Sequence, residues 1–475
     1  MGFEFYHSIG TPNIIATLVM LIWLPLVVWL FQSFPARRAI VISFIVAWLF
    51  LPVVSLTLPG IPNYTKVSAT SYGILLATFI FDVNRFKKFK FGVLDIPILI
   101  WCIYPLFSSL SNDLGLYDAV SSVVDQTMSW GIPYLLGRIY LGDLSGLRQL
   151  AIGIFAGGLI YAPLCLLESR ISPQLHNIFY GGHPHDDFAQ TVRLGGYRPM
   201  VFMQHGLAVG AWMMAASLIG IWLWRSGAIS KVFNLTLQFS VPFILITFLL
   251  LRSTGAYGLL VLGLILLLLG VALRNTVPVY LIIFSIIVYL SILTLTDAET
   301  YTHLTDRIVY YLSQYLPEDR VNSIEFRFNN EALLIERAQE RFWLGWGGWG
   351  RNLLFDDQGN QITIPDSLWI ITFGQYGFIG LINLYTIFLL PVVSVFSTKC
   401  HPYFWDHKKM APVAALAITL LLYSIDCLVN DMNNPIYILI CGGLTGYAMA
   451  QSRNLKRERS RLPLSSTSVS LGTME

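Results

Sequence analysis

Residues 256–296 read AYGLLVLGLILLLLGVALRNTVPVYLIIFSIIVYLSILTLT, and this stretch decides the fold class. It contains two apolar runs, 256–273 and 277–296, each close to the roughly 20 residues that an α-helix needs to cross a bilayer. Arg274 is the one charged residue in the stretch, and it lies between the two runs. The stretch therefore predicts a pair of transmembrane helices joined by a short turn.

The same composition extends over most of the chain. Hydrophobic residues make up 55% of the 475 residues, charged residues make up 12%, and the mean hydropathy is +0.64, values typical of multi-pass membrane proteins. We therefore expect an all-α polytopic membrane protein with about 12–13 transmembrane helices. The candidate spans are 13–34, 39–58, 68–83, 93–111, 117–136, 149–168, 201–224, 232–251, 256–273, 277–296, 367–392, 411–428 and 436–450.

The basic residues predict the orientation and the division of the chain. Lys and Arg are retained on the cytoplasmic side, and alternate connections collect most of the 30 basic residues, so the amino terminus is expected outside and the carboxyl terminus inside. The second long outward segment should be mainly helical. The predicted parts are 1–168 (N-terminal transmembrane helices), 169–200 (first outer loop), 201–296 (central transmembrane helices), 297–365 (large outer segment), 366–450 (C-terminal transmembrane helices) and 451–475 (disordered cytoplasmic tail).

Six arginines lie in the segment 297–365, on the side of the membrane where basic residues are uncommon. A guanidinium group can bind phosphate or carboxylate through two parallel hydrogen bonds, so the segment is predicted to bind an anionic substrate. The alternative is that these arginines pair with acids of the same loop, and we prefer it for Arg337 and Arg341, which alternate with Glu336 and Glu340. The six are Arg307, Arg320, Arg327, Arg337, Arg341 and Arg351.

A helix is predicted within this segment, from Pro317 to about Phe342. Proline followed by acids is typical of a first helical turn. Arg327 and Glu331 are four residues apart and can pair along the helix surface. The expected apolar stripe of this helix consists of Phe326, Leu333, Leu334, Ala338 and Phe342.

A glycine-rich turn, Gly345-Trp-Gly-Gly-Trp-Gly-Arg351, follows the predicted helix. Glycine lets a main chain approach a ligand closely, and aromatic faces commonly stack on sugar rings. Trp346 and Trp349 are therefore candidate substrate contacts. Interfacial anchoring is the alternative for both, because tryptophan is enriched at membrane surfaces.

Ionisable residues within or beside the apolar runs are further candidates, because charges at depth are costly and commonly functional. Arg252 lies in a hairpin too short to hide a charge, His205 lies just inside the seventh run, and Asp125 and Asp426 lie inside the fifth and twelfth runs. A packing role is the alternative for each. The run His183-Pro-His-Asp-Asp is interpreted as a solvated loop rather than a metal site, and no other cluster has metal-ligand spacing.

Several of these motifs resemble the bacterial O-antigen ligase and polymerase superfamily. They are the hairpin Leu251-Arg-Ser-Thr-Gly-Ala-Tyr257, the helix around Arg327 with its glycine-rich turn, and Asp366-Ser367 followed by Gly377 and Gly380. The stretch from Tyr197-Arg198-Pro199 to His205-Gly-Leu is similar to the arginine-rich entry of that family into a mid-chain span. The similarity covers about residues 190–395.

The resemblance implies a metal-independent, cofactor-free glycosyltransferase of the GT-C type at the outer face of the bacterial plasma (inner) membrane, with a glycan on undecaprenyl diphosphate as donor. It implies that Arg252 and Arg327 bind the diphosphate. Family ligases have a histidine that activates the acceptor hydroxyl where this chain has Asp366, so Asp366 is the candidate base, with a helix N-cap as its alternative. Further substrate contacts are expected from Arg198, His205, Arg320, Arg351, Trp346 and Trp349.

Three functions are compatible with these features. The first is a polymerase of O-antigen or exopolysaccharide repeat units, and the second is a ligase that transfers finished glycan to a lipid core or protein. The third is a transporter of lipid-linked sugar, a class that usually shows two related halves, which are not visible here. Expected partners are the lipid-linked glycan, the acceptor glycan or lipid, membrane lipids and a chain-length regulator or other assembly protein, but no nucleic acid.

Overall fold

A computed structural model of the protein describes residues 11–57, 63–185, 188–315, 317–398 and 400–461. The chain is mostly helical, 73%, with almost no sheet. The helices of the first part are α1 (Ile14–Ser33), α2 (Ala36–Phe50), α3 (Lys66–Phe81), α4 (Asn84–Lys88), α5 (Ile96–Leu110), α6 (Gly115–Gln126), α7 (Ile132–Tyr140), α8 (Leu144–Ile171) and α9 (Leu175–Tyr180).

Two short antiparallel hairpins interrupt the helices of the second part. The first pairs β1 (Val192–Arg193) with β2 (Gly196–Tyr197), and the second pairs β3 (Lys231–Val232) with β4 (Leu235–Thr236). The remaining helices are α10 (Gly206–Arg225), α11 (Leu237–Leu250), α12 (Thr254–Leu273), α13 (Val277–Leu295), α14 (Ala298–Ser313), α15 (Glu318–Gln339), α16 (Leu368–Phe396), α17 (Ala411–Asp426) and α18 (Pro435–Arg461).

Some of these helices are long enough to cross a membrane, and other apolar helices are shorter. Among the described residues, seven helices are long and apolar enough to cross a membrane, which makes the chain an all-α polytopic membrane protein. The prediction of 12–13 spans also included shorter helices, such as the 16-residue α3 and α17. Sixteen residues rise about 24 Å, less than the roughly 30 Å of a hydrocarbon core. The predicted span 117–136 lies within one uninterrupted helical run, 115–140, in which a π-helical turn, Thr127–Gly131, connects α6 to α7.

Helix α10 lies at the centre of the bundle, in contact with α8, α11, α12 and α17. It is the most buried of the seven long helices. Small residues allow close approach to its neighbours: a Cβ added to Gly158 of α8 would lie 2.5 Å from the Ala216 Cβ of α10. Such small-residue contacts are typical of helix packing in membranes.

The segment 297–365 contains two helices, α14 and α15, where the sequence predicted one. The predicted helix, 317 to about 342, corresponds to α15, which begins after Pro317 and ends at Gln339. Its buried face includes the expected Leu334 and Ala338, whereas Phe326 and Leu333 are exposed at 52% and 41%. Helix α14 was not predicted, although Leu304, Ile308 and Leu312 recur at a spacing of four residues.

The glycine-rich turn after α15 packs against an interruption of α16. Gly377 has a φ of +65° and breaks the regular helix. The N–H groups of Trp346 and Gly347 donate hydrogen bonds to the carbonyls of Gly374 and Gln375, at 2.9 and 3.0 Å. The glycine-rich turn therefore packs closely against the main chain of α16. The sequence had suggested that a ligand approaches the turn instead.

Candidate functional site

Helix α15 and the residue pair before α16 bring a cation and a carboxylate together at one end of the bundle. The Arg327 Nε atom lies 3.4 Å from the Asp366 Oδ2 atom, and Arg327 Nη1 lies 3.4 Å from the Val429 carbonyl oxygen. The two side chains remain 41% and 39% exposed. A pair this exposed adds little to folding stability, and both charged groups remain accessible from outside.

Asp366 does not cap helix α16. The N-cap residue is Ser367, and its hydroxyl donates a hydrogen bond to Glu331 at 3.1 Å. Burial raises the pKa of Asp366, and the positive charge of Arg327 lowers it. The N-cap alternative for Asp366 is therefore wrong, and its carboxylate is oriented by Arg327.

Glu331 joins α14, α15 and the start of α16. Its carboxylate accepts hydrogen bonds from the hydroxyls of Tyr301, at 2.9 Å, and Ser367, at 3.1 Å. Burial raises the pKa of Glu331, whereas hydrogen bonds from Tyr301 and Ser367 and the charge of Arg327 lower it. Helix spacing predicted that Arg327 pairs with Glu331, but Glu331 is turned toward Tyr301 and Ser367 while Arg327 faces Asp366.

A cavity of about 620 Å³ opens beside Asp366. It lies between the 181–205 region, the 349–366 loop and the connection between α17 and α18. A second cavity, of about 60 Å³, shares Asp366 and Ile364 with the first and contains Arg327 together with Tyr289 and Val429. Residues that line the larger cavity include His185, His205, Trp349, Gln361, Asp366 and Asp431.

His205 lines the larger cavity as a neutral ring. It is the N-cap of α10, and its Nδ1 atom accepts a hydrogen bond from the Leu207 N–H at 3.0 Å. Its Nε2 atom lies 3.0 Å from Gln190 Oε1 and therefore carries the proton. Burial lowers the pKa of His205 well below its usual range, and nearby cations, first Arg198, lower it further.

Arg198 follows the β1–β2 hairpin in the chain, and the Arg252 side chain contacts that hairpin. Arg198 is 6% exposed, and its Nη2 atom donates to Ser253 Oγ at 3.2 Å. Arg252 has a φ of +57°, and its Nη1 atom donates to the Arg193 carbonyl at 3.1 Å. The site thus has cations beside the cavity, but neither of these arginines is among its lining residues in the described part of the chain.

Of the other predicted substrate contacts, one lines the cavity and two do not. Trp349 lines the cavity, whereas Trp346 lies under the Arg337 guanidinium, 3.5 Å from its ring centroid, and donates its indole N–H to the Arg337 carbonyl. The Arg351 side chain is exposed, and its carbonyl accepts a hydrogen bond from Arg337. The salt-bridged face predicted around Arg337 is confirmed by its 2.6 Å contact with Glu340.

The structure describes no side-chain position for three residues named in the sequence analysis. Arg320 belongs to α15, but its side chain lies outside the described atoms, and Asp186 and Asp187 lie outside the described residues altogether. Over the ranges that are described, no group of three His, Cys, Asp or Glu side chains could hold a metal ion.

Sequence reasoning missed Asp431, which lines the large cavity. Burial raises the pKa of its carboxyl to about 7. The available signal was the polar run Asn430-Asp-Met-Asn-Asn434, which separates the last two apolar spans. Asp426, which the sequence did single out, accepts a hydrogen bond from Asn430 Nδ2 at 2.8 Å and thus has the packing role that was its alternative.

Comparison with known proteins adds no assignment to this site. No protein-family model matches the chain, and no curated protein sequence matches it.

Proposed function

We propose that this protein is a GT-C-type membrane glycosyltransferase that transfers glycan from an undecaprenyl diphosphate carrier, and that it polymerises O-antigen or exopolysaccharide repeat units. The observation that carries this proposal is the half-exposed Arg327–Asp366 pair at the edge of the 620 Å³ cavity. A guanidinium held by a half-exposed carboxylate can exchange part of its contact for a diphosphate, because both anions accept its forked hydrogen bonds.

The same end of the bundle carries the two segments that the charge rule assigns to the outside. His205, which lines the large cavity, belongs to the region after α9, and Arg327 belongs to the segment between α13 and α16. In this proposal the cavity therefore faces the periplasmic side of the bacterial inner membrane. Donor and acceptor would enter from the outer leaflet.

The smaller cavity supports a lipid-linked donor. It combines Arg327 with the side chains of Tyr289, Phe328 and Leu428. Tyr289 belongs to α13, one of the seven long apolar helices, and is 37% exposed on its surface. A polyprenyl chain lying along α13 would place its diphosphate next to the guanidinium.

The chemistry needs charge stabilisation at the leaving group. An acceptor hydroxyl attacks the anomeric carbon, and the lipid diphosphate leaves with the bonding electron pair. Arg327 stabilises that developing charge, an effect that is often the largest contribution to catalysis. Asp366 holds Arg327 in place before the donor arrives, while Arg198 and Arg252 add positive potential nearby.

The decisive experiment uses purified protein in lipid together with the lipid fraction of a deletion strain, which should accumulate the enzyme's own substrates. Polymerisation predicts longer glycans on the carrier, detected by mass spectrometry, without an ion gradient. In the deletion strain itself, single or short units on the carrier support a polymerase, and full-length chains support a ligase. Absence of any new glycosidic bond in the purified reaction would refute the proposal and favour transport.

A further inference from the structure

The large cavity contains a second carboxylate, Asp431, that the Arg327–Asp366 pair does not involve. Asp431 follows α17 and lines the cavity together with Asp366 and His205. Its Oδ1 atom is enclosed, and no residue within the described ranges donates a hydrogen bond to it. A buried acceptor without a donor is costly, and such an atom in a native structure needs a reason.

The neighbouring carboxylates have partners, and Asp431 differs from them in this respect. Asp366 pairs with Arg327 at 3.4 Å, and Asp426 accepts a hydrogen bond from Asn430 at 2.8 Å. Of these three residues, Asp431 is the one that lines the cavity and accepts no hydrogen bond within the described ranges. It is half-buried as a residue, so its carboxylate can accept a hydrogen bond from a donor in the cavity. A sugar hydroxyl is such a donor.

Two other cavity groups could accept a proton. Asp366, the base expected from the sequence, is paired with Arg327, and His205 has both ring nitrogens engaged. Nδ1 accepts from the Leu207 N–H, and Nε2 carries a proton directed at Gln190. Accepting another proton would break the hydrogen bond that caps α10. The nearby cations Arg198 and Arg327 also oppose a positive charge on this ring.

The surroundings of Asp431 suit a group that exchanges a proton near neutrality. His185, His205 and Asp366 line the same cavity, and Cys427 interacts with Asp431 from the end of α17, next to Asp426. Burial raises the pKa of Asp431 to about 7. General bases work best when their pKa lies near the working pH.

We propose that Asp431 is the general base that accepts the proton of the acceptor hydroxyl, a role that rests on the proposed glycosyl transfer. The acceptor oxygen forms the new bond to the anomeric carbon, and the bond from that carbon to the diphosphate oxygen breaks. The electron pair of the broken bond leaves with the lipid diphosphate, and the hydroxyl proton moves to the Asp431 carboxylate. Asp431 then releases this proton to water before the next cycle.

The test compares the full-length wild type with Asp431→Asn, using the lipid fraction of a deletion strain as substrate. The wild-type rate should rise with pH and level off above about 7. Asp431→Asn should lose about 10²–10⁴-fold in rate and lose this pH dependence, while the concentration dependence on donor lipid stays within about threefold. Asp357→Asn is the matched control, because Asp357 is exposed on the 356–360 loop.

Chemical rescue separates a base from a packing residue. Asp431→Ala should regain activity with added sodium formate, which can occupy the vacated space and accept the proton, whereas Asp357→Ala should not respond. Wild-type-like rates in Asp431→Asn, or no formate response in a folded Asp431→Ala protein, would overturn the assignment. If the wild type itself forms no glycosidic bond, the proposed function fails instead, so the two failures are distinguishable.

Discussion

The Arg327 Nε atom lies 3.4 Å from the Asp366 Oδ2 atom, and this contact joins the middle of α15 to the entry of α16. Glu331, one turn along α15, is held by Tyr301 and Ser367. The two acids nearest to Arg327 thus have separate tasks: Glu331 fixes the helix positions, and Asp366 orients a guanidinium that is still 41% exposed.

We expect Arg327→Ala to lower the rate of glycosyl transfer by about 10²–10³-fold, because it removes a donor aimed at the leaving diphosphate. Arg327→Lys should lie between the wild type and Arg327→Ala, since an ammonium keeps the charge but lacks the planar fork. Asp366→Asn should cost about tenfold, by leaving Arg327 less well oriented. Rates are measured with deletion-strain lipid and purified protein.

Arg307→Ala provides the matched control, because Arg307 lies in the same polar segment, on an exposed position of α14. It should transfer glycan at the wild-type rate. The effects of Arg327→Ala and Asp366→Asn should also be less than additive, because Asp366 acts through Arg327. Equal losses in Arg307→Ala and Arg327→Ala would indicate a general electrostatic effect and contradict a specific role.

The close approach of Gly196 to Arg252 allows the role of Arg252 to be tested without removing it. A Cβ at position 196 would overlap the Arg252 guanidinium, which is the far end of a flexible side chain. Gly196→Ala should therefore displace the guanidinium, lower transfer as much as Arg252→Ala does, and leave the melting temperature nearly unchanged.

Gly195→Ala is the control within the same hairpin. Gly195 has a φ of +72°, and a Cβ there would meet no atom within 4 Å. The substitution should cost about 1 kcal/mol of stability through backbone strain but retain activity, because Arg252 is undisturbed. If both alanine variants keep full transfer activity, the position of the Arg252 guanidinium does not matter for catalysis.

The sequence predicted the features that depend on local composition. Apolar runs identified the membrane class, and Pro317 with the acids after it placed the start of α15. Contacts between distant segments were less accessible. Helix spacing predicted a pair between Arg327 and Glu331. The observed partner of Arg327, Asp366, could not be predicted, because its position depends on how α16 enters the bundle.

Asp431 and Trp346 show why contacts between distant segments limit prediction from sequence: Asp431 was missed as a cavity residue, and Trp346 was expected to contact sugar. Asp431 is one polar residue in a short connection, and the cavity that it lines is formed together with residues of the distant 349–366 loop. Trp346 looked like a sugar-stacking residue, but Arg337 covers its ring at 3.5 Å. Neither outcome follows from residue type, since both depend on which distant side chain occupies the adjacent space.

The interruption of α16 makes Gly377 sensitive to substitution. Its φ is +65°, and an added Cβ would lie 2.5 Å from the Trp343 carbonyl carbon and oxygen, which belong to a main chain that cannot easily move. Gly377→Ala should destabilise the protein by about 3 kcal/mol or more, through both strain and overlap. Thermal unfolding in detergent measures the loss.

Gly359→Ala separates these two causes. Gly359 also has a positive φ, +80°, but a Cβ there would meet no atom within 4 Å. Its substitution should cost only about 1 kcal/mol. Similar losses in the two variants would show that the contact between the glycine-rich turn and α16 does not restrict position 377.

Asp431 also predicts a dependence of stability on pH that does not require any enzymatic activity. Its pKa is raised to about 7 in the folded protein, from 3.8 for an ordinary aspartate. Between these values the unfolded chain releases a proton that the folded chain keeps, so this residue lowers stability as pH rises toward 7 and no further above it.

Asp431→Asn cannot ionise and should be more stable than the wild type by on the order of 1–4 kcal/mol above pH 7, with little difference near pH 4. Melting temperatures at several pH values test this, with Asp357→Asn as the exposed control. A constant difference across the pH range would mean that folding does not raise the pKa of Asp431, and it would contradict the near-neutral proton exchange that the base role requires.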